Sequence, residues 1–386
     1  MSTSKRLRVL WLCSWYPSEV DPFSGDFIQR QAEAVSSYAD IHVLHAIGSP
    51  VRPRFFLSKE NRHQGLQEWV AYYPTGRSFQ RWISPIRWLQ VMWRLVRHYQ
   101  AAYGLPDLVH VQIPFKSGLI ARYLHARYGS RYVVTEHWGI YNDQSADRFA
   151  KRSFLFQQIT RLGFEKAALS LSVSTYQSRQ LHTFLGPVAA RTIHNVVNTR
   201  FFHPVERTNR PYTFLHVSDW SVNKNPEGIV RAFSRLHLEF PDTRLVLVGG
   251  KGVRGEVIRQ WVQLHAGNIQ CEGEIPYETV AIRMQQADCL VLNSFMENSP
   301  CVIGEALCVG LSVIATEVGG VAELMDPDCS QLIPAGDDLA LYKAMKEVVQ
   351  NCEGFGREAV ALRAQARFSY ETVGQQLYQA YRDVLG

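Results

Sequence analysis

The chain has 386 residues, 46% of them hydrophobic and 20% charged, with a formal net charge of +6. That is enough chain for two or three ordinary domains of soluble globular composition, and it excludes a disordered or fibrous protein. The charge is too small to imply nucleic acid, and suits phosphate-bearing ligands or an anionic surface equally. Cysteines 13, 271, 289, 301, 308, 329 and 352 form no CxxC pair and lie mostly in apolar segments. They read as buried thiols in a reducing compartment rather than a disulfide frame or metal site. The N-terminal segment has a basic start but a very short apolar run, so it reads as a first strand rather than a signal peptide. No stretch approaches the length of a transmembrane helix, and a cytoplasmic protein is expected.

In chain order, Leu7 to Cys13 is a bounded apolar run and a predicted strand. Ser14 to Gly25, with Pro17 and Pro22, is a predicted loop, and Asp26 to Tyr38 has helical periodicity. Ile41 to Ala46 is a second strand, whereas Arg52 to Gly76 carries no clear pattern. Asp107 to Val111 and Tyr132 to His137 are strands, the latter stopping at Trp138-Gly139. Leu169 to Ser174 closes a first series. A second series starts at Tyr212 to Val217, followed by a loop to Asn225, a helix to Glu239, a strand from Arg244 to Val248, and Gly249-Gly-Lys-Gly252. Asp288 to Leu292 has the length of a buried parallel strand. Leu339 to Asn351 is a helix, and Ser369 to Leu385 is amphipathic. Alternating strands and helices imply parallel sheets, and the restart near residue 200 implies two of them.

The stretch Asn293 to Glu323 organises the rest. Ser299 sits where an N-cap is expected and Pro300 at the first helical position, where its missing N–H costs nothing. The amides of Cys301 and Val302 would then face an anion at the positive end of the helix dipole. Glu297 lies just before this helix, and Glu305 about one and a half turns inside it. Carboxylates accept from sugar hydroxyls and amides donate to phosphate oxygens, so the set suits a ligand bearing both. Glu297 and Glu305, with seven residues between them, Ala306 to Gly310, Val313 to Thr316 and Val318-Gly-Gly-Val-Ala-Glu-Leu324 together resemble the E-x7-E signature of retaining glycosyltransferases of family four.

The resemblance implies the GT-B fold: α/β, with two Rossmann-like domains whose parallel sheets face each other across a cleft. It implies an acceptor domain over residues 1–200, a nucleotide-sugar domain over 201–366, and a helix over 367–386 crossing back to the first domain. It assigns Glu305 to the nucleotide ribose and Glu297 to the donor sugar. Ser299, Cys301, Val302, Gly319 and Gly320 would approach the donor from the backbone, Glu274 and Ile275 would read the nucleobase, and Gly25 would lie near donor phosphate and acceptor. His137, at a strand's carboxyl end, would stand beside the donor sugar. Lys224 matches a lysine that stabilises the leaving diphosphate. The family's companion arginine is replaced by Asp219 or Ser221, and Lys251 is the candidate substitute. The leaving phosphate itself would take the acceptor proton. No cofactor and no catalytic metal are expected. The partners implied are a nucleotide sugar and a hydroxyl of a glycan or lipid-linked acceptor, with no nucleic acid. A non-catalytic nucleotide-sugar-binding subunit, having lost the arginine with its chemistry, is the rival reading.

Two other features bear on function. Asp326-Pro-Asp328 spells DxD, read here as a turn rather than a metal site. Arg77 to Tyr99 is rich in Arg and Trp. On a helical wheel Ile86, Leu89, Trp93 and Val96 form one apolar stripe and Trp88, Met92, Leu95 and Tyr99 a second, with Arg87, Arg94 and Arg97 on the remaining face. One stripe suits a core helix. Two stripes with this many arginines suit a membrane surface, contacted through Arg81, Arg87 and Arg94 at the inner face of the membrane.

Overall fold

The computed structural model describes residues 6–51, 55–63, 65–75, 84–142, 145, 147–186, 189–206, 211–250, 252–265, 268–351 and 356–386. They form two compact units, one of Met1–Val196 with Tyr370–Gly386 and one of Val197–Ser369.

The first unit contains β1 (Arg8–Cys13), α1 (Asp26–Ser36), β2 (Asp40–Ser49), β3 (Phe56–His63), β4 (Leu66–Pro74), α2 (Ser84–Tyr103), β5 (Leu108–Gln112), α3 (Ser117–Tyr128), β6 (Tyr132–Glu136), α4 (Phe154–Glu165), β7 (Leu169–Ser172), α5 (Thr175–Leu185) and β8 (Ala190–Thr192). Its sheet runs β3-β4-β2-β1-β5-β6-β7-β8. Neighbours are parallel except β3 and β4, which are antiparallel. The central strand β1 shows why the sheet is covered on both faces. Val9, Trp11 and Cys13 enter one core and Leu10 and Leu12 the other, as period-two alternation requires.

The second unit contains β9 (Tyr212–Ser218), α6 (Pro226–Glu239), β10 (Thr243–Gly249), α7 (Gly252–Val262), β11 (Ile269–Glu272), α8 (Tyr277–Gln285), β12 (Cys289–Leu292), α9 (Cys301–Val309), β13 (Ser312–Thr316), β14 (Ser330–Ile333), α10 (Asp338–Gln350) and α11 (Arg357–Phe368). Its sheet runs β11-β10-β9-β12-β13-β14 and is parallel throughout. The last helix, α12 (Tyr370–Leu385), belongs to the first unit. Its Val373, Leu377, Ala380 and Tyr381 are buried in the core that holds Val9, Trp11 and α1.

Helix α2 answers the question posed by its two stripes. Trp88, Met92, Leu95 and Tyr99 are buried, and the Trp88 indole donates to the Ala46 carbonyl at 3.0 Å. Of the other stripe only Val96 is buried; Ile86 is 59% exposed and Leu89 41%. One stripe is core and the other mostly is not.

Candidate active site

In an open parallel sheet, ligands bind beyond the carboxyl ends of the strands, where the strand order reverses. In the second unit that point lies between β9 and β12, which are neighbours although two strands separate them in sequence. The loops leaving both strands are tied together. Phe295 N donates to Asn223 O at 2.8 Å, and Asn223 Nδ2 donates to Met296 O at 2.9 Å. Lys224 follows directly, and its Nζ donates to Glu297 Oε1 at 2.5 Å. The Ser294 hydroxyl donates to the same carboxylate oxygen at 2.6 Å, and Thr316 Oγ1 donates to Ser294 O at 2.6 Å. Two predicted residues 73 positions apart are thus a contact pair. Burial alone would lower the Lys224 pKa. The charge and hydrogen bond of Glu297, with Asp219 and Cys301 adding to them, outweigh burial and raise it, so the lysine stays charged.

The β9 loop is supported from below. His216 is buried, bonded through Nδ1 to Val291 O (2.8 Å) and through Nε2 to Ser218 Oγ (2.7 Å), which also accepts from Trp220 N. Asp219, which with Ser221 is one of the two candidates for the slot of the expected arginine, is exposed and accepts from Ser221 N at 3.1 Å. A different cation approaches this loop: Arg254 Nε donates to Trp220 O at 3.2 Å, and its guanidinium pairs with Glu227. Lys251 lies outside the described residues.

Helix α9 begins one residue later than its sequence suggests. Pro300 is the cap residue, at φ −67° and ψ 119°, and the first helical residue is Cys301. Ser299 is therefore not the cap, and the cap makes no side-chain hydrogen bond. The fixed φ of proline suits either position, and an extended ψ delays the helix by one residue. The Ile303 amide bonds back to Pro300 O at 3.3 Å, leaving the turn of Cys301 and Val302 as the dipole's leading edge. Glu305 is the fifth helical residue, little more than one turn in, and is buried at 3% exposure. Gly319, in the loop after β13, has φ +56°, and a Cβ there would lie 1.8 Å from Glu297 O. Only glycine lets this loop close over the Glu297 backbone. Gly320 has an ordinary backbone at φ −93°.

The loop after β11 carries Glu274, which is exposed, and Ile275, which leans on the core; Gly249 N holds it by donating to Gly273 O at 3.1 Å. Asp326 and Asp328 both accept from Arg363 at 2.8 Å. Hydrogen bonding to Arg363 is the main reason the Asp326 carboxyl titrates below its usual range.

In the first unit the order reverses between β1 and β5. The Ser14–Gly25 loop leaves β1 and is pinned to the β5 end: Ser14 N donates to Gln112 O (3.1 Å) and Ser14 Oγ to Ile113 O (2.8 Å). Gly25 caps α1 at φ +71°, with the position of a Cβ 2.9 Å from the Trp15 and Tyr16 backbone. His137 follows β6, its ring 4.9 Å from Phe27 at the start of α1, so Gly25's helix and His137 are neighbours. His137 Nε2 bonds Gln112 Oε1 at 2.9 Å, and burial lowers its pKa to about 3. Glu136, which the sequence did not single out, is buried, and burial raises its pKa to about 7. It accepts from the His137 and Trp138 amides and the Tyr141 hydroxyl, and so fixes the strand end.

Of the cationic residues on and before α2, Arg94 is exposed and Arg87 Nη1 donates to Pro74 O at 3.2 Å. Arg77 and Arg81 lie outside the described residues. Among the described residues no helix is long and apolar enough to cross a membrane.

Two family models together match residues 40–366: "Glycosyltransferase Family 4" over residues 40–201 and "Glycosyl transferases group 1" over 198–366. A putative teichuronic acid biosynthesis glycosyltransferase of Bacillus subtilis, TuaC, is 23% identical over 368 residues, covering 88% of each chain. Among solved structures, sucrose-phosphate synthase from Thermosynechococcus elongatus superposes with a TM-score of 0.78 at 21% identity, covering 98% of this chain and 99% of the other. Anabaena Alr3699/HepE in complex with UDP-glucose gives 0.70 at 16%, covering 98% and 100%.

Proposed function

The chain belongs to the family-four glycosyltransferases, with the GT-B fold, and from that premise we propose that it is a retaining hexosyltransferase using a nucleoside-diphosphate sugar. The observation that carries this reading is the Lys224–Glu297 pair at the strand-order reversal of the second unit. A lysine ammonium has three donors. One is held by Glu297, and the others serve diphosphate oxygens as negative charge grows on them toward the transition state. The α9 amides of Cys301 and Val302 add the helix dipole, Glu305 takes the ribose hydroxyls and Glu297 the donor sugar. Glu274, Ile275, Gly319 and Gly320 supply backbone contacts to the nucleotide; in the first unit, the resemblance assigns His137 to the donor sugar and Gly25 to donor phosphate and acceptor. The bond from C1 to the phosphate oxygen breaks, the acceptor oxygen bonds to C1 on the same face, and the departing phosphate takes the hydroxyl proton. This reading uses no cofactor or metal, and Asp326 and Asp328 are already engaged by Arg363.

The acceptor we infer is a hydroxyl of a glycan or lipid-linked glycan, as in polysaccharide biosynthesis, reached at the inner face of a membrane. The similarity to TuaC, a putative teichuronic acid biosynthesis glycosyltransferase, supports the glycan. An apolar cavity of about 420 Å³ lined by Ile86, Leu89, Trp93, Leu119, Ile120 and Tyr123 supports the anionic bilayer, because exposed Arg94 and Arg97 and half-buried Arg87 share that helix. The six described cysteines are free thiols and suit a reducing compartment.

The test is release of free nucleoside diphosphate from UDP-, GDP- and ADP-sugars, with a thermal shift identifying the donor that binds. Slow donor hydrolysis by the protein alone supports the enzyme. A donor that raises the melting temperature and is never turned over, with glycan acceptors present, favours the non-catalytic subunit.

A further inference from the structure

A line of buried polar groups crosses one face of the first sheet. His110 and Gln112 are two residues apart on β5 and so share a face, and Thr135 is paired with Gln112 in register on β6. Tyr381 of α12 closes the far end. Tyr381 Oη lies 2.7 Å from His110 Nδ1, and His110 Nε2 lies 2.6 Å from Thr135 Oγ1. Gln112 then spans two imidazoles: its Nε2 is 3.3 Å from His110 Nε2, and its Oε1 is 2.9 Å from His137 Nε2. His110 and Gln112 have no exposed surface. Burial brings both imidazoles down to about 3, so both are neutral at physiological pH.

A neutral imidazole has one N–H and one lone pair, while a primary amide donates only from nitrogen and accepts only at oxygen. An amide placed between two Nε2 atoms therefore requires one of them protonated and the other bare. With Oε1 on His137, that ring carries its proton on Nε2 and is an acceptor at Nδ1. His110 is bare at Nε2, where the Thr135 hydroxyl and the Gln112 amide both donate, and protonated at Nδ1, which donates to Tyr381 Oη. We propose that Gln112 is a positioning residue that fixes His137 as the uncharged Nε2–H tautomer, so that His137 offers a ligand a hydrogen-bond acceptor rather than a proton or a charge. Outer hydrogen bonds of this kind set the tautomer of an imidazole and thereby its function.

The measurement is a long-range 1H–15N correlation spectrum of the full chain with 15N-labelled histidine, taken from about pH 6 to 8, where an ordinary histidine titrates. His110→Gln and His137→Gln spectra assign the two rings. His137 should show a protonated Nε2 and His110 a protonated Nδ1, unchanged across that range. Two rings of the same tautomer, the reversed pair, or an imidazolium at His137 would overturn the proposal. Gln112→Glu places acceptors at both ends and should draw a proton onto His137. Gln112→Met should release the ring to exchange between tautomers, and it decides the matter if the glutamate variant does not fold. The consequence for turnover rests on the reading of His137 as a donor-sugar contact. On that reading Gln112→Met loses on the order of tenfold to a hundredfold in kcat with donor KM nearly unchanged. Full turnover with a released ring would remove His137 from the reaction and leave the tautomer assignment standing.

Discussion

The two units hold their buried polar groups in opposite ways. At the reversal point of the second unit a buried lysine is kept charged by the Glu297 carboxylate it donates to, which the Ser294 hydroxyl also holds. At the reversal point of the first, burial keeps His110 and His137 uncharged, and an amide fits between them. The same strand geometry therefore presents a formal charge in one unit and a neutral hydrogen-bonding surface in the other. A departing diphosphate needs the former, and a sugar hydroxyl the latter.

The largest expected effect breaks the charged side. Lys224→Ala should lower kcat by about 10²- to 10³-fold, the usual loss for one donor at a developing anion, with a smaller change in donor affinity. Steady-state nucleoside-diphosphate release measures this, and equal turnover in variant and parent would remove Lys224 from the chemistry.

The next tests the neutral side through pH. His42, His45 and His216 are held down to about 4, and His110 and His137 to about 3, in each case chiefly by burial. Their folded values lie below the unfolded one, so their stabilisation is present above about pH 6.5 and is lost as pH falls through that range. Each fully buried histidine costs about 2–3 kcal/mol of stability by pH 4.5. Glu136 works in the other direction: raised to about 7, its contribution is present below its unfolded value and is lost as pH rises through 7. Five histidines outweigh one carboxyl, so urea midpoints should fall from pH 6.5 to 4.5, and His216→Gln should flatten the fall. Midpoints that rise on acidification would contradict the burial of these rings.

How much could be read from the sequence differs between the units for the same reason. Glu297, the α9 turn and Gly319 lie on one local strand–turn–helix–strand stretch, and their spacing is visible in the chain. Gln112 acts through a ring at the end of another strand, and Glu136 by holding the turn that follows its own, and a strand residue of either type carries no spacing signal. The β3–β4 pair carries no clear pattern in the sequence because β3, as Ser58, Lys59 and Glu60 show, is polar, as an edge strand protected from further pairing tends to be. The pairing of Lys224 with Glu297 depends on β9 and β12 being neighbours, which only the topology reveals.

The smallest expected effect concerns the α2 surface. Each basic residue near an anionic bilayer contributes about 1 kcal/mol and is screened by salt. Arg81, Arg87 and Arg94 changed together to Gln should reduce co-sedimentation with phosphatidylserine vesicles at low salt while activity on a soluble acceptor persists. Ile86→Ser with Leu89→Ser should reduce it further. A parent protein that does not sediment at low salt leaves this helix face without a membrane role.

The most direct measurement is calorimetric titration of the donor sugar nucleotide and of its free nucleoside diphosphate into the parent, Glu305→Ala and Glu297→Ala. If the second unit binds the donor as described, Glu305→Ala weakens both ligands by roughly 1.5–3 kcal/mol, the value of a hydrogen bond to a charged group. Glu297→Ala should weaken the sugar nucleotide alone and leave the free nucleotide nearly unchanged. Both variants binding free nucleotide as the parent does would contradict the assignment of Glu305 to the nucleotide, and with it the donor site.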